Sequence, residues 1–182
     1  LSITFFFLQN VAVNAQPGKS FCITGYYAGS AERLDHFPVE KLTHLIYSFG
    51  HMKGNQLHFG SANDTACIRK MVAYKKKYPG LKIILSLGGW GGCKTCSDIF
   101  SSDYGRNAFS ISVKKWLQYF KADGIDLDWE YPAIAGYPEH PFKPEDKSNF
   151  TRLLRSLRTE LGNKYEISFA AGGFDQFIDS SV

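Results

Sequence analysis

The 182-residue sequence lacks the features that are typical of several classes of protein. After residue 15 there is no apolar run of the roughly 20 residues that a membrane helix needs. The net charge is only +4, and no basic cluster alternates with aromatic residues, so the composition does not indicate nucleic acid as a partner. No second Cys or His pair stands at zinc-ligand spacing, and calcium-loop spacing is also missing. We therefore expect no metal, no cofactor and no nucleic acid.

The one long apolar stretch is at the start of the sequence. Residues 1–15 centre on Phe5-Phe6-Phe7-Leu8 and end in Val13-Asn14-Ala15, a small-x-small site of the signal-peptidase kind. A basic start is missing, since no Lys or Arg precedes Lys19. We predict a secretory signal over 1–15, and hence a secreted protein that is free of the membrane after cleavage. The alternative is a buried N-terminal strand.

Cysteines are few, and an exported protein would use them in disulfides. The four are Cys22, Cys67, Cys93 and Cys96. Cys93 and Cys96 are close together in a Gly-rich loop, and we predict that they bridge locally. The pairing of Cys22 and Cys67 stays open.

Apolar residues recur in alternating strand and helix patterns along most of the chain. The patterns predict strands over 21–27, 43–49, 81–87, 125–130 and 165–171, helices over 62–78, 101–122 and 147–161, a helical turn over 38–42 and a polar loop or ribbon over 51–60. Strands that alternate with helices indicate a parallel α/β sheet with crossover connections.

Two architectures fit that alternation, an open doubly wound sheet and a TIM (β/α)8 barrel. An open nucleotide-binding sheet would carry a Gly-rich fingerprint after its first strand, but Tyr26-Tyr27-Ala28-Gly29 does not match it. A barrel needs about 250 residues, and 182 − 15 leaves only 167. We therefore expect residues 16–182 to hold about the first five of eight strands, with the C-terminal part of the barrel missing.

The predicted strand at 125–130 carries the most unusual pattern. Ile125, Leu127 and Trp129 alternate with Asp126, Asp128 and Glu130, so the acids share one face of the strand. Like charges and burial both raise a carboxyl pKa, which favours a protonated acid beside ionised neighbours. A solvated acidic edge strand is the alternative reading of the same pattern.

The motif Asp123-x-x-Asp126-x-Asp128-x-Glu130, with Tyr131-Pro132, resembles the signature of family 18 chitinases. Ser86-Leu87-Gly88-Gly89-Trp90, at the end of the preceding predicted strand, resembles a second element of that family. The resemblance runs from about Phe21 to the end. It implies a catalytic barrel with its site at the C-terminal ends of the strands.

The resemblance also implies roles for the acids. Glu130 would be the general acid and then the base toward water. Asp128 would bind the N-acetyl group of the sugar, whose carbonyl oxygen attacks the anomeric carbon. Asp126 would share a proton with Asp128, whereas Asp123 would be structural. This family is a substrate-assisted exception to the two-carboxylate scheme of glycosidases.

Further positions follow from the same resemblance. The substrate-contacting residues would be Trp90, Tyr131, Tyr26, Phe49, Gly89 and Phe174, and Gly88 would be a structural part of the motif. For Tyr26 and Phe49, plain core packing is the alternative.

The resemblance predicts a secreted, monomeric chitinase that cuts β-1,4 bonds between N-acetylglucosamine units. Chitin or its oligosaccharides would be the partner. One alternative is an endo-β-N-acetylglucosaminidase that acts on glycoprotein glycans. The other is a chitinase-like lectin that binds chitin without cutting it.

Overall fold

The computed structural model describes residues 21–181, and the predicted signal at 1–15 lies outside that range. The strands are β1 Thr24–Tyr27, β2 His44–Lys53, β3 Gln56–His58, β4 Lys82–Gly88, β5 Gly124–Asp128 and β6 Glu166–Phe169. The helices are α1 Ala62–Ala73, α2 Cys96–Phe100, α3 Asp103–Phe120, α4 Asp146–Leu161 and α5 Asp175–Ser181. Short 3-10 helices span Glu32–His36, Val39–Lys41 and Tyr74–Lys76.

Five of the strands form one parallel sheet in the order β1-β2-β4-β5-β6, as the alternation predicted. β3 pairs antiparallel with β2 at its end. In β5 the register pairs Asp126 with Ser86 on one side and with Ser168 on the other, and Asp128 with Gly88. This register fixes which side chains meet the acids.

The apolar core lies on one side of the sheet. Ile125, Leu127 and Trp129 belong to the same buried cluster as Val113 of α3 and Leu153 of α4. On this side, α3 contacts both α1 and α4. Helices on a single face are what a barrel requires, whereas a doubly wound sheet carries them on both faces.

The opposite face of the sheet is concave. The hydroxyl of Tyr26 on β1 reaches Asp126 on β5, and His44 on β2 reaches Glu166 on β6, at 3.1 and 2.9 Å. Neighbouring strands are about 4.8 Å apart, so β1 and β5 would be about 14 Å apart in a flat sheet. These contacts show that the sheet curls as barrel strands do.

Of the two alternatives predicted over 51–60, a loop or a short ribbon, the structure shows the ribbon, an antiparallel hairpin of β2 and β3. β2 continues to Lys53, Gly54 turns the chain with a φ of 55°, and β3 returns. Leu57 is buried, and its backbone accepts a bond from the Trp116 indole and donates one to the Ser112 hydroxyl. Contacts with α3 therefore stabilise β3 although the local sequence is polar.

The helix ends differ from prediction more than the starts do. α1 begins at Ala62 as predicted, after the N-cap Ser61, whose side chain accepts from the Asp64 backbone, but it ends at Ala73 before a 3-10 turn. α3 starts after Ser102 as predicted but stops at Phe120, because Lys121 takes a left-handed φ of 60°. The sequence patterns also missed α2 and α5, each of which has seven residues or fewer.

Candidate active site

The deepest acid on the concave face is Asp126. It is 1% exposed and accepts hydrogen bonds from three hydroxyl groups. Tyr26 and Ser86 donate to Oδ2 at 3.1 and 2.8 Å, and Ser168 donates to Oδ1 at 2.7 Å. An ionised carboxylate can only accept hydrogen bonds, so hydroxyl donors suit it as neighbours. The three donors come from β1, β4 and β6 and fix the Asp126 side chain.

Asp128 lies two residues further along the same face and is partly buried. Burial raises its pKa to about 6, and the nearby charges of Glu130 and Asp126 add to that rise. Its backbone carbonyl accepts a 3.0 Å bond from the Gly89 amide. Asp128 therefore changes its charge within the weakly acidic range.

Glu130 lies two residues beyond the end of β5, and burial raises its pKa above the usual range for a glutamate. It stands nearest the open end of the strands, about 13 Å along the chain from Asp126 at the usual strand rise. The loop after it folds back, since a side chain at Gly136 would meet the Glu130 carbonyl. The Glu130–Tyr131 and Ser48–Phe49 peptide bonds are cis.

The predicted glycine loop lies beside the acids. Gly88 and Gly89 have φ of 110° and 75°, and a Cβ on Gly88 would stand 2.2 Å from the Asp128 carbonyl oxygen. A Cβ on Gly89 would be 2.5 Å from the Phe49 ring. Both positions require glycine, because the backbones and the ring approach so closely. Trp90 then points outward and is 60% exposed.

Two cavities adjoin this arrangement. One, of about 870 Å³, fills the concave face and is lined by Tyr26, Asp126 and Ser168 among others. The second, of about 540 Å³, is lined by Phe49, Trp90 and Tyr137 along the glycine loop. Asp126 therefore borders an open cavity on the concave face, and the glycine loop borders a second cavity.

Tyr131 and Phe174 meet on the far side of the site. Their ring centroids are 5.4 Å apart, and both rings pack against Phe177 of α5. Phe174 is 40% exposed. The structure brings these two predicted residues together, while Phe49 and Trp90 stand on the glycine-loop side.

Asp123 is not at the site. Its carboxylate pairs with Lys75 at 2.7 Å and accepts from the Ile83 amide at 2.8 Å, which ties β5 to β4 and to the turn after α1. Cys93 and Cys96 form a disulfide, whereas Cys22 and Cys67 are free thiols.

Ser86 and Ser168 are the residues that sequence reasoning missed as partners of Asp126. Ser86 stood in the quoted motif without a role, and Ser168 was one polar residue in an apolar strand. Each occupies a concave-face position in its strand, but only the sheet register shows that it lies opposite Asp126.

Within residues 21–181, no group of His, Cys, Asp and Glu side chains has the arrangement of a metal site. In the same range, no helix combines the length and apolar character needed to span a bilayer.

Several known proteins are similar to this chain in sequence or in fold. Chitinase A1 of Niallia circulans is 37% identical over 112 residues, which make up 58% of this chain and 16% of that protein. Probable chitinase 2 of Drosophila melanogaster is 29% identical over 162 residues, 83% of this chain and 32% of that protein. This chain therefore spans less than a third of the length of these two relatives.

The structure of a family 18 N-acetylglucosaminidase from Paenibacillus barengoltzii is 32% identical in sequence and superposes with a TM-score of 0.76. The match covers 88% of this chain and 48% of that one. This likeness confirms the predicted barrel fold. The family model of the glycosyl hydrolases family 18 matches residues 22–181. With nearly its whole described length matched, the chain belongs to the glycosyl hydrolases family 18.

Proposed function

We propose that this chain carries the acid machinery of a secreted chitinase, which hydrolyses β-1,4 bonds between N-acetylglucosamine units. The observation that supports this most is the row Asp126, Asp128 and Glu130, whose members share one face but differ in environment. Asp126 is locked by three hydroxyl donors, and the pKa values of Asp128 and Glu130 are raised. The names of the relatives favour chitin as the substrate.

In this proposal Glu130 is the acid and base. It donates its proton to the glycosidic oxygen as the bond from that oxygen to the anomeric carbon breaks. The raised pKa of Glu130 suits this role, because a general acid must hold its proton near the working pH. Glu130 then removes a proton from the water that completes hydrolysis.

The nucleophile in this proposal is the sugar's own N-acetyl oxygen, which attacks the anomeric carbon from the opposite side. Asp128 hydrogen-bonds the N–H of that acetamido group and so orients the carbonyl. The separation along the chain explains the different roles, because four residues of extended chain place Asp126 about 13 Å from Glu130, too far to contact the same bond. Asp126 acts through Asp128 instead.

Secretion is part of the same proposal. The Cys93–Cys96 disulfide fits an oxidising compartment, where such bonds persist. The test is to express the protein with its natural N-terminus in a eukaryotic host and to analyse the medium. N-terminal sequencing should find cleavage after Ala15, and retention of the protein within the cells would contradict secretion.

The catalytic proposal is tested with Glu130→Gln in the full-length protein, because this change keeps the shape of the side chain and removes its proton. We expect kcat on chitohexaose to fall by about 10²- to 10⁴-fold, while calorimetry finds the Kd little changed. The matched control is Glu160→Gln, which removes an acid paired with Lys114 at 3.0 Å on the helix side. A surface ion pair contributes at most about 1 kcal/mol, so the control should keep its activity.

Two outcomes would favour the alternatives. Binding of chitohexaose without cleavage by the wild-type protein would indicate a lectin. Cleavage of high-mannose glycopeptides alone would indicate an endo-β-N-acetylglucosaminidase. A loss below about tenfold for Glu130→Gln would reject Glu130 as the acid.

A further inference from the structure

Three aromatic side chains form a cluster at the open end of the glycine loop. The rings of Trp90 and Tyr137 lie 5.5 Å apart between centroids at 68°, and those of Tyr137 and His140 lie 4.8 Å apart at 44°. Trp90 is 60% exposed and Tyr137 is 39% exposed. We refer to Trp90, Tyr137 and His140 as the rim cluster.

The chain holds the rim cluster in place with two local features. Pro138 and Glu139 form a tight turn in which the His140 amide donates to the Tyr137 carbonyl at 3.1 Å, with Glu139 at a φ of 66°. Proline is favoured at the second position of such a turn because its φ is already fixed. On the glycine loop, which faces this turn, Gly91 has a φ of 85°, and a Cβ built there would be 3.1 Å from the Tyr137 ring. The rings are thus positioned by both loops although they remain exposed.

The rim cluster adjoins the end of the strand that carries Asp128. The cavity of about 540 Å³ is lined by Phe49, Trp90 and Tyr137 and by the glycines from Gly88 onward. Gly88, which lines this cavity, pairs in register with Asp128, so the cavity adjoins the strand end that carries Asp128. Its volume lies in the range of about 300 to 1,000 Å³ that is typical of ligand sites.

The chemistry of the rim cluster suits a sugar unit. A pyranose ring presents C–H groups on its faces, which pack on aromatic rings, and hydroxyls at its edge. Tyr137 Oη and the His140 ring nitrogens can donate or accept hydrogen bonds, and both side chains remain partly accessible. Both polar groups are therefore available to sugar hydroxyls.

We propose that Tyr137 and His140 are positioning residues for sugar units remote from the cleaved bond, and that they give the enzyme a preference for longer chains. This inference rests on the proposed function, because it extends the same cleft. It assigns a role to the part of the β5–α4 loop that follows Pro132 and lies outside both sequence motifs.

The test uses the full-length protein and compares kcat/KM on chitohexaose with kcat/KM on a chromogenic disaccharide. For Tyr137→Ala we expect the hexamer value to fall about three- to tenfold, mainly through KM, with a clearly smaller loss on the disaccharide. His140→Ala should change the ratio in the same direction. Tyr137→Phe, which keeps the ring, should restore most of the lost ratio. The matched control is Tyr104→Ala, which removes a ring 76% exposed on α3 and should leave the ratio unchanged.

An unchanged hexamer-to-disaccharide ratio in folded Tyr137→Ala and His140→Ala would overturn the inference. If Tyr137→Ala does not fold, as judged by circular dichroism, His140→Ala decides by the same ratio. If the wild-type protein cuts neither substrate, the proposed function fails, and calorimetric binding of chitohexaose tests the inference separately. Weaker binding by Tyr137→Ala would then support it, and equal binding would overturn it.

Discussion

At the scale of single residues, three similar carboxylates on β5 and just beyond its end differ because their neighbours differ. Asp126 is enclosed by hydroxyls from three other strands. Burial and two nearby like charges raise the pKa of Asp128, whereas burial alone raises the pKa of Glu130. The surroundings of each carboxyl group, and not its residue type, therefore determine whether the side chain is held in one position or can keep a proton.

A stability measurement tests the environment of Asp128. Its folded-state pKa of about 6 lies above the usual value of 3.8, so the folded protein binds this proton more tightly than the unfolded chain does. Stability from this group is thus greatest below about pH 4 and is lost as the pH rises toward 6. We expect Asp128→Asn to stabilise the full-length protein above about pH 6 by about 1 kcal/mol, after allowance for its partial exposure.

Thermal melts of the wild-type protein and Asp128→Asn from pH 3.5 to 8 give this comparison. The difference in Tm should be absent at the acid end and appear between about pH 4 and 6. Surface Asp175→Asn is the control, since this residue is exposed at the start of α5. A difference in Tm that is constant over the whole range would contradict the predicted proton uptake.

The alternation in the sequence was enough to place the three acids on one face, because strand geometry dictates it. It could not reveal Ser86 and Ser168 as partners of Asp126, which lie 40 and 42 residues away in the sequence. Such contacts depend on the register between strands. The rim cluster was also missed, because its geometry arises from two loops.

At the scale of elements, the site depends on how β4 ends against β5. Gly88 combines a φ of 110° with a separation of 2.2 Å between a built Cβ and the Asp128 carbonyl oxygen. Any side chain there would push the loop away from the strand that carries the acids. The glycine loop is therefore part of the support of Asp128.

We expect Gly88→Ala to destabilise the full-length protein by about 3 kcal/mol, since backbone strain and a backbone clash add together. Gly80→Ala is the matched control, because no atom lies within 4 Å of a Cβ built there. That change should shift stability by no more than about 1 kcal/mol. Differential scanning calorimetry of both variants tests the pair, and equal Tm values for the two would contradict this account of the loop.

Most elements were predictable because their apolar periodicity is strong. The five parallel strands and the helices α1, α3 and α4 were all located, and errors fell at their ends. The misses were α2 and α5, which are short, and α5 depends on distant contacts such as Phe177 with Tyr131. Local sequence carries little information on such elements.

At the scale of the whole molecule, curvature assembles the site. Tyr26 and Asp126 are 100 residues apart in sequence and three strands apart in the sheet, yet they form a hydrogen bond across the concave face. All the sheet's crossover helices lie on the other face, where they bury one apolar cluster. The fold thus brings Asp126 of β5 together with hydroxyls from β1, β4 and β6 on the concave face.

The central claim is that Glu130 supplies the proton and that the sugar's acetamido oxygen is the nucleophile. Two successive displacements at the anomeric carbon retain its configuration. The most direct test is proton NMR of chitohexaose during the first minutes of hydrolysis by the full-length protein, before the products mutarotate. We predict that β-anomers form first, at a rate that Glu130→Gln reduces severely. First-formed α-anomers would show inversion and would contradict the account.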